Sequence, residues 1–179
     1  ALEKLEIAAF IDSSEPDYFF SLGQIAARAE KYQEAATAYE RFLLLAPSSD
    51  RERVQRIEGL IRFLKFLGGR TSIYDVDRGD GAVSFELVRD RPVVVVRVGN
   101  GKVPMKFVLD TGSGITVISQ KAAKRLGLKP ITKGGMARAI GGSGKFEIVF
   151  GFVRSMEIGD ARVRNIPVYI REFHETSDE

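Results

Sequence analysis

A chain of 179 residues with 44% hydrophobic and 28% charged residues has room for one large globular domain or two small ones. Its net charge of +3 is spread without a basic block, which gives no reason to expect a nucleic-acid partner, and the absence of cysteine excludes disulfides and thiolate metal sites. No apolar run approaches the length of a membrane span. The one histidine, His174, sits in a polar tail, so a Ser-His or Cys-His site lacks its base and a His-based metal site lacks its ligands. No cofactor is expected. The chain opens on Ala1 rather than Met, as a fragment or a processed form would. A signal peptide removed before Ala1 would place the protein outside the cytoplasm, in the periplasm.

Residues 1 to about 67 read as helical. Leu2, Leu5 and Ala9 recur at helical spacing, and Pro16 then interrupts before a new start. Phe19, Leu22, Gly23 and Ala26 form one stripe, and Ala35, Tyr39 and Phe42 another, with a turn near 30–33 and Pro47 as the close. This Leu-Gly, Ala, aromatic, Pro spacing resembles one tetratricopeptide unit of about 34 residues. The small residues Gly23 and Ala35 would let two antiparallel helices approach closely, with Tyr39 filling the groove. A third helix is expected over about 50–67, with Val54, Ile57, Leu60, Ile61, Leu64 and Leu67 at 3.6 spacing. Ser49 or Asp50 would cap its start and Gly68-Gly69 would stop it. Such a unit binds a protein partner in its groove, or else only spaces or dimerises the neighbouring domain.

Residues 70–82 are polar and rich in Gly and Asp, so they read as a solvated connection. Asp75, Asp77 and Asp80 have the look of a calcium loop, but the later glutamate falls out of register. From Val83 the pattern becomes β: Val83–Val88, a turn at Arg89–Pro92, Val93–Val98, a Gly99-Asn100-Gly101 turn, then Val103–Leu109. That last strand delivers Asp110 into Thr111-Gly112-Ser113-Gly114, and Ile115–Ile118 leaves the turn. Gly112 and Gly114 would permit positive φ or close approach of another chain, and Thr111 and Ser113 could bond nearby backbone. Ser119 is a candidate N-cap for a short helix to Leu126, closed by Gly127.

The stretch Phe-Val-Leu-Asp-Thr-Gly-Ser-Gly-Ile-Thr-Val-Ile-Ser, residues 107–119, resembles the active-site segment of retroviral-type aspartic proteases, the retropepsins. Over Ala137–Val149 a strand, the glycine-rich Ile140-Gly141-Gly142-Ser143-Gly144 and a second strand read as a hairpin, similar to the retropepsin flap in sequence and order. A phosphate-loop reading of Gly144-Lys145 fails, since Phe146 stands where Ser or Thr is needed and Ala139 where Gly is needed. The chain also echoes itself. Val96–Val103 and Met156–Val163 share a strand, Gly-Asn or Gly-Asp turn, basic residue and Val. In retropepsins the second copy leads to a hydrophobic-hydrophobic-Gly turn and a final helix; here the chain stops first, so the expectation is a domain lacking its C-terminal end. The missing turn would help bury Leu109 and Ile118.

The expected organisation is α+β multidomain: a tetratricopeptide-like helical hairpin domain over 1–72, a linker over 73–82, and an all-β retropepsin-like half-barrel over 83–179. The resemblance implies an aspartic endopeptidase acting on a polypeptide substrate. Only one Asp-[Ser/Thr]-Gly is present, so two chains of a homodimer would each give an Asp110. It further implies that Thr111 steadies the dyad and that Gly112 lies near the substrate backbone. Ser113, Gly114, Ile140, Gly141 and Gly142 would be substrate contacts. Gly114 departs from the Asp that retroviral members often carry there. The fragment alone is expected to be inactive or nearly so. The alternative is a non-catalytic interaction module, with the helical part recruiting a partner and the β part as scaffold.

Overall fold

The computed structural model describes residues 2–46, 49–70, 72–77, 82–99, 103–138 and 145–172. Four helices come first: α1 (Leu2–Ile11), α2 (Pro16–Arg28), α3 (Tyr32–Leu45) and α4 (Arg51–Gly68). The strands β1 (Asp75–Asp77), β2 (Glu86–Val88), β3 (Arg91–Val98), β4 (Val103–Val108) and β5 (Thr116–Ser119) are next. After them come α5 (Gln120–Arg125), β6 (Thr132–Arg138), β7 (Lys145–Ile158) and β8 (Ala161–Arg171). The chain gathers into two compact units. One holds residues 1–71 with 131–148, the other 72–130 with 149–179. The first therefore includes β6 and the start of β7, which the sequence alone groups with the β part.

In the helical unit, local signals set the ends. Pro16 opens α2 at a position where its missing N–H is not needed, and the Glu15 carboxylate accepts from Asp17 N. Asp50 Oδ1 accepts from Arg53 N at 3.0 Å and caps α4. The stop at Gly69 is not left-handed, with φ −82°, so glycine there breaks the helix without supplying the usual αL cap. Between α2 and α3 the chain turns at Ala29–Lys31, with Glu30 at φ 59°. Ala26, Ala35, Tyr39 and Phe42 form the core with Ile57, Ile61 and Leu64 of α4. A Cβ on Gly23 would lie 2.8 Å from the Tyr39 ring. The ring thus occupies the space that a side chain would take, as the Gly23–Tyr39 spacing led us to expect. Phe20 closes on Tyr39 edge-on at 5.6 Å. Burial raises the Tyr39 hydroxyl pKa above the usual tyrosine value.

The second unit is built on a twofold echo. β3 pairs antiparallel with β4, and β7 with β8. The turns joining these pairs begin with left-handed Gly99 (φ 76°) and Gly159 (φ 57°). The copies then meet through β3 and β7, with Val96 opposite Ile158 and Val98 opposite Met156. Along β3, Val94, Val96 and Val98 are buried while Val95 and Arg97 are exposed, the two-residue period of a strand with one face covered. Each such fully buried side chain contributes roughly 1.5–3 kcal/mol. Val153, Val168, Ile166 and Ile170 complete this core.

Three elements differ from the sequence reading. Residues 75–77, expected in a solvated linker, form β1 against Arg162–Arg164 of β8. Ladder bonds need no apolar period, and Arg164 pairs with both Asp75 (3.0 Å) and Asp77 (3.1 Å), which also removes their calcium-loop character. Asp80 lies outside the described residues. The turn expected at Arg89–Pro92 shrinks to Arg89-Asp90, both at positive φ (50° and 60°), so Arg91 and Pro92 already belong to β3. β6 begins at Thr132, five residues before the expected strand at Ala137, in a Thr-Lys-Gly-Gly run with no alternating apolar signal. Its support comes from α4.

Replacing Gly23 by Ala should lower stability by about 1–3 kcal/mol through overpacking against Tyr39, read as a drop in urea midpoint without a change in slope.

Candidate active site

Asp110 is held from both sides of its turn. Upstream, β4 runs beside β3 to the Val93–Val108 pair, and one further bond, Leu109 N to Pro92 O at 2.9 Å, extends the ladder to the residue before Asp110. Downstream, β5 pairs parallel with β8, Thr116 opposite Val168 and Ser119 opposite Arg171. Between them the turn closes on itself. Ser113 N donates to Asp110 O at 3.2 Å, Gly112 N donates to Asp110 Oδ1 at 2.9 Å, and Ser113 Oγ donates to Ile115 O at 2.8 Å. The carboxylate therefore has one oxygen oriented by a backbone N–H, while the residue itself remains exposed. This is a carboxylate on a fixed backbone with a face open to solvent.

The surroundings are apolar. A cavity of about 880 Å³ is lined by Asp110, Ser113 and Gly114 together with Val94, Val96, Met105, Phe107, Met156 and Ile158. Arg91, Lys106 and Tyr74 also line it. These three carried no sequence signal for the site: Arg91 fell in the expected turn, Lys106 read as an ordinary strand residue, and Tyr74 fell in the polar stretch taken as a connection. Tyr74 N donates to Asn165 O at 3.1 Å, which fixes that stretch against β8. Apolar walls lower the local dielectric and strengthen any charge interaction made inside.

The glycines of the turn work differently from the expectation. Neither Gly112 nor Gly114 has positive φ. At Gly112 a Cβ would come within 3.3 Å of Asp110 Oδ1, so the absent side chain leaves the N–H to carboxylate contact unobstructed. At Gly114 a Cβ would meet nothing within 4 Å. Thr111 is exposed in the turn. The Ser113 hydroxyl is committed to the turn itself. Leu109 is 54% exposed, as expected of a residue with no covering turn among the described residues, whereas Ile118 is only 2% exposed. The Ile118 expectation is therefore corrected: its pairing with Ile170 and the packing of Ala123 and Val168 bury it within the described residues. Ile140, Gly141 and Gly142 lie outside the described residues, as do Ser143, Gly144 and His174.

Residues 94–178 match the family model described as Aspartyl protease. Over these residues, just under half of the chain, the sequence is similar to the aspartyl protease family. The protease-family segment contains the Asp-Thr-Gly turn, both copies of the internal echo and the hairpin of β6 and β7. Among solved structures the chain is similar to a retropepsin-like aspartic protease from Rickettsia conorii, at 20% identity and a TM-score of 0.40, covering 49% of this chain and 70% of that one. No curated relative matches the chain. Among the described residues, no helix is long and apolar enough to cross a membrane, and no group of three or more His, Asp or Glu side chains gathers as metal ligands would.

The Ser119 hydroxyl accepts from Ala122 N at 3.1 Å and caps α5, as its position in the sequence suggested. Ser119→Ala should cost about 1 kcal/mol of stability, while Gly114→Ala, entering open space, should stay within about 0.5 kcal/mol. Chemical denaturation of the two variants side by side checks both.

Proposed function

We propose that the chain is an aspartic endopeptidase whose site is completed by Asp110 of a second copy. The reading is carried by the Asp110 turn. It is the sole Asp-[Ser/Thr]-Gly of the sequence, lies inside the protease-family segment, and holds one carboxylate oxygen on Gly112 N while facing an apolar cavity. One such carboxylate takes a proton but cannot also give one. Two brought together by a twofold axis repel, so one stays protonated and the other ionised at mild pH. The ionised member removes a proton from water, whose oxygen attacks the peptide carbonyl, and the protonated member gives its proton to the carbonyl oxygen. Collapse of the tetrahedral species returns a proton to the departing nitrogen.

Symmetry makes the surface beside the turn the natural interface, because an isologous contact brings each turn near its own copy. Val108 is 50% exposed and Leu109, next to Asp110, 54% exposed, so apolar surface there awaits cover. Thr111 is assigned to steadying the pair across the axis, and Gly112 and Gly114 to the substrate backbone. The arms of the hairpin, β6 and the first part of β7, supply the element that the retropepsin resemblance sets over a bound peptide. A second reading concerns the helical unit alone. Leu2, Phe19, Leu22 and Ala26 line a groove of about 590 Å³ with Gln33, Thr37 and Arg41 on its wall, which suits a protein partner with or without catalysis in the β part.

Asp110→Asn keeps an acceptor for Gly112 N but cannot ionise. In a full-length form it should abolish cleavage of labelled casein and leave the melting temperature nearly unchanged, and the full-length parent should show a bell-shaped, acid-to-neutral pH profile. Full activity in Asp110→Asn would remove this carboxylate from the mechanism.

A further inference from the structure

α4 has two working faces. Ile57, Ile61 and Leu64 belong to the core shared with α2 and α3. Glu52, Arg56, Gly59 and Arg62, spaced at three and four residues, form another stripe. Every member of this stripe meets the hairpin strands of the same compact unit. Arg56 Nη1 donates to Met136 O at 3.0 Å, Arg62 Nε to Thr132 Oγ1 at 2.9 Å, and Lys145 Nζ pairs with Glu52 at 2.8 Å.

Gly59 shows how close this contact is. Glycine in the middle of a helix costs about 1 kcal/mol relative to alanine, so its presence in α4 calls for a cause. A Cβ there would overlap the Lys133 carbonyl oxygen and lie 2.5 Å from Gly134 Cα. Both are backbone atoms, which no side-chain rotation can move aside. The strand answers in kind. Gly134 is buried, and Gly135 adopts φ +70°, with its own added Cβ 3.1 Å from Arg56 Cγ and 3.2 Å from Arg56 N. Helix backbone and strand backbone touch directly, and β6 has no apolar alternation of its own to hold it elsewhere.

From this contact we infer that Gly59 and Arg56 are positioning residues for the β6–β7 arm, so that the helical unit sets how that arm is presented to a peptide substrate. The placement of the arm stands on the contacts above; its effect on substrate rests on the endopeptidase reading. The protease-family segment, residues 94–178, is then not self-contained, because its residues 131–148 are seated in the helical unit.

The experiment uses the whole chain with Arg56→Ala, Gly59→Ala and the conservative Arg56→Lys. Amide exchange should accelerate about tenfold or more across 132–138 in the first two, with α2, α3 and β3 within about twofold of the parent. Arg56→Lys should restore part of the protection. In a full-length form acting on labelled casein, KM should rise about fivefold with kcat within about twofold, the pattern of lost substrate binding. Unchanged exchange in β6 would overturn the assignment. So would loss of protection spreading through α2 and α3 in both alanine variants, since the stripe would then be general core, or a fall in kcat at constant KM. Asp110→Asn run in parallel separates the two ideas: retained cleavage there counts against the endopeptidase reading, while the exchange pattern still decides the role of α4.

Discussion

The parallel pairing of β5 with β8 is the constraint on which the Asp110 turn depends. Antiparallel neighbours can be joined by a tight turn, but parallel strands must be brought together by a longer path. Here that path runs from β5 through α5, β6 and β7 before β8 returns alongside. β8 then holds β7 on one edge, with β1 and β5 on the other, so Ile166, Val168 and Ile170 sit at the centre of the sheet. Without that strand the downstream side of the Asp110 turn would be tethered only by its own short bonds.

Glycine serves three separate purposes in this chain. At Gly99 and Gly159 it supplies left-handed turns that repeat one hairpin template twice. At Gly23 and Gly59 it removes a Cβ so that another group fits, a tyrosine ring in one case and a strand backbone in the other. At Gly112 it leaves room for a backbone N–H to reach a carboxylate. A single residue type therefore marks turns, helix contacts and the candidate site. Its meaning at each position comes from its neighbours.

Charge plays a smaller part in holding the fold. The ion pairs Lys31–Glu34, Lys106–Glu86 and Lys133–Glu147 are solvent-exposed, and such pairs typically contribute well under 1 kcal/mol each. The partly buried Arg56 to Met136 bond is of another kind, because it satisfies a strand carbonyl from a helix side chain. Cohesion rests on the two apolar cores and on direct backbone contact.

Much of this was legible in the residues alone. Period-3.6 stripes, Pro16 and the Asp50 and Ser119 caps located the helices, and alternating valines located β3. The echo of Val96–Val103 in Met156–Val163 announced two equivalent hairpins, and Phe107–Ser119 announced the candidate site. These signals are local: each depends on residues within a turn or a strand of one another. What the sequence could not reveal were pairings made across long separations. β1 hides in a polar stretch because ladder bonds use backbone atoms common to all residues. β6 hides in Thr-Lys-Gly-Gly because its support is α4, and the glycine at position 59 reads from sequence only as a weak point in a helix. Burial of Ile118 beside an exposed Leu109 was likewise decided by which strand β5 found as its partner. Local chemistry wrote the elements and the carboxylate turn; the tertiary structure chose their neighbours, because backbone hydrogen bonds and close packing carry no residue code of their own.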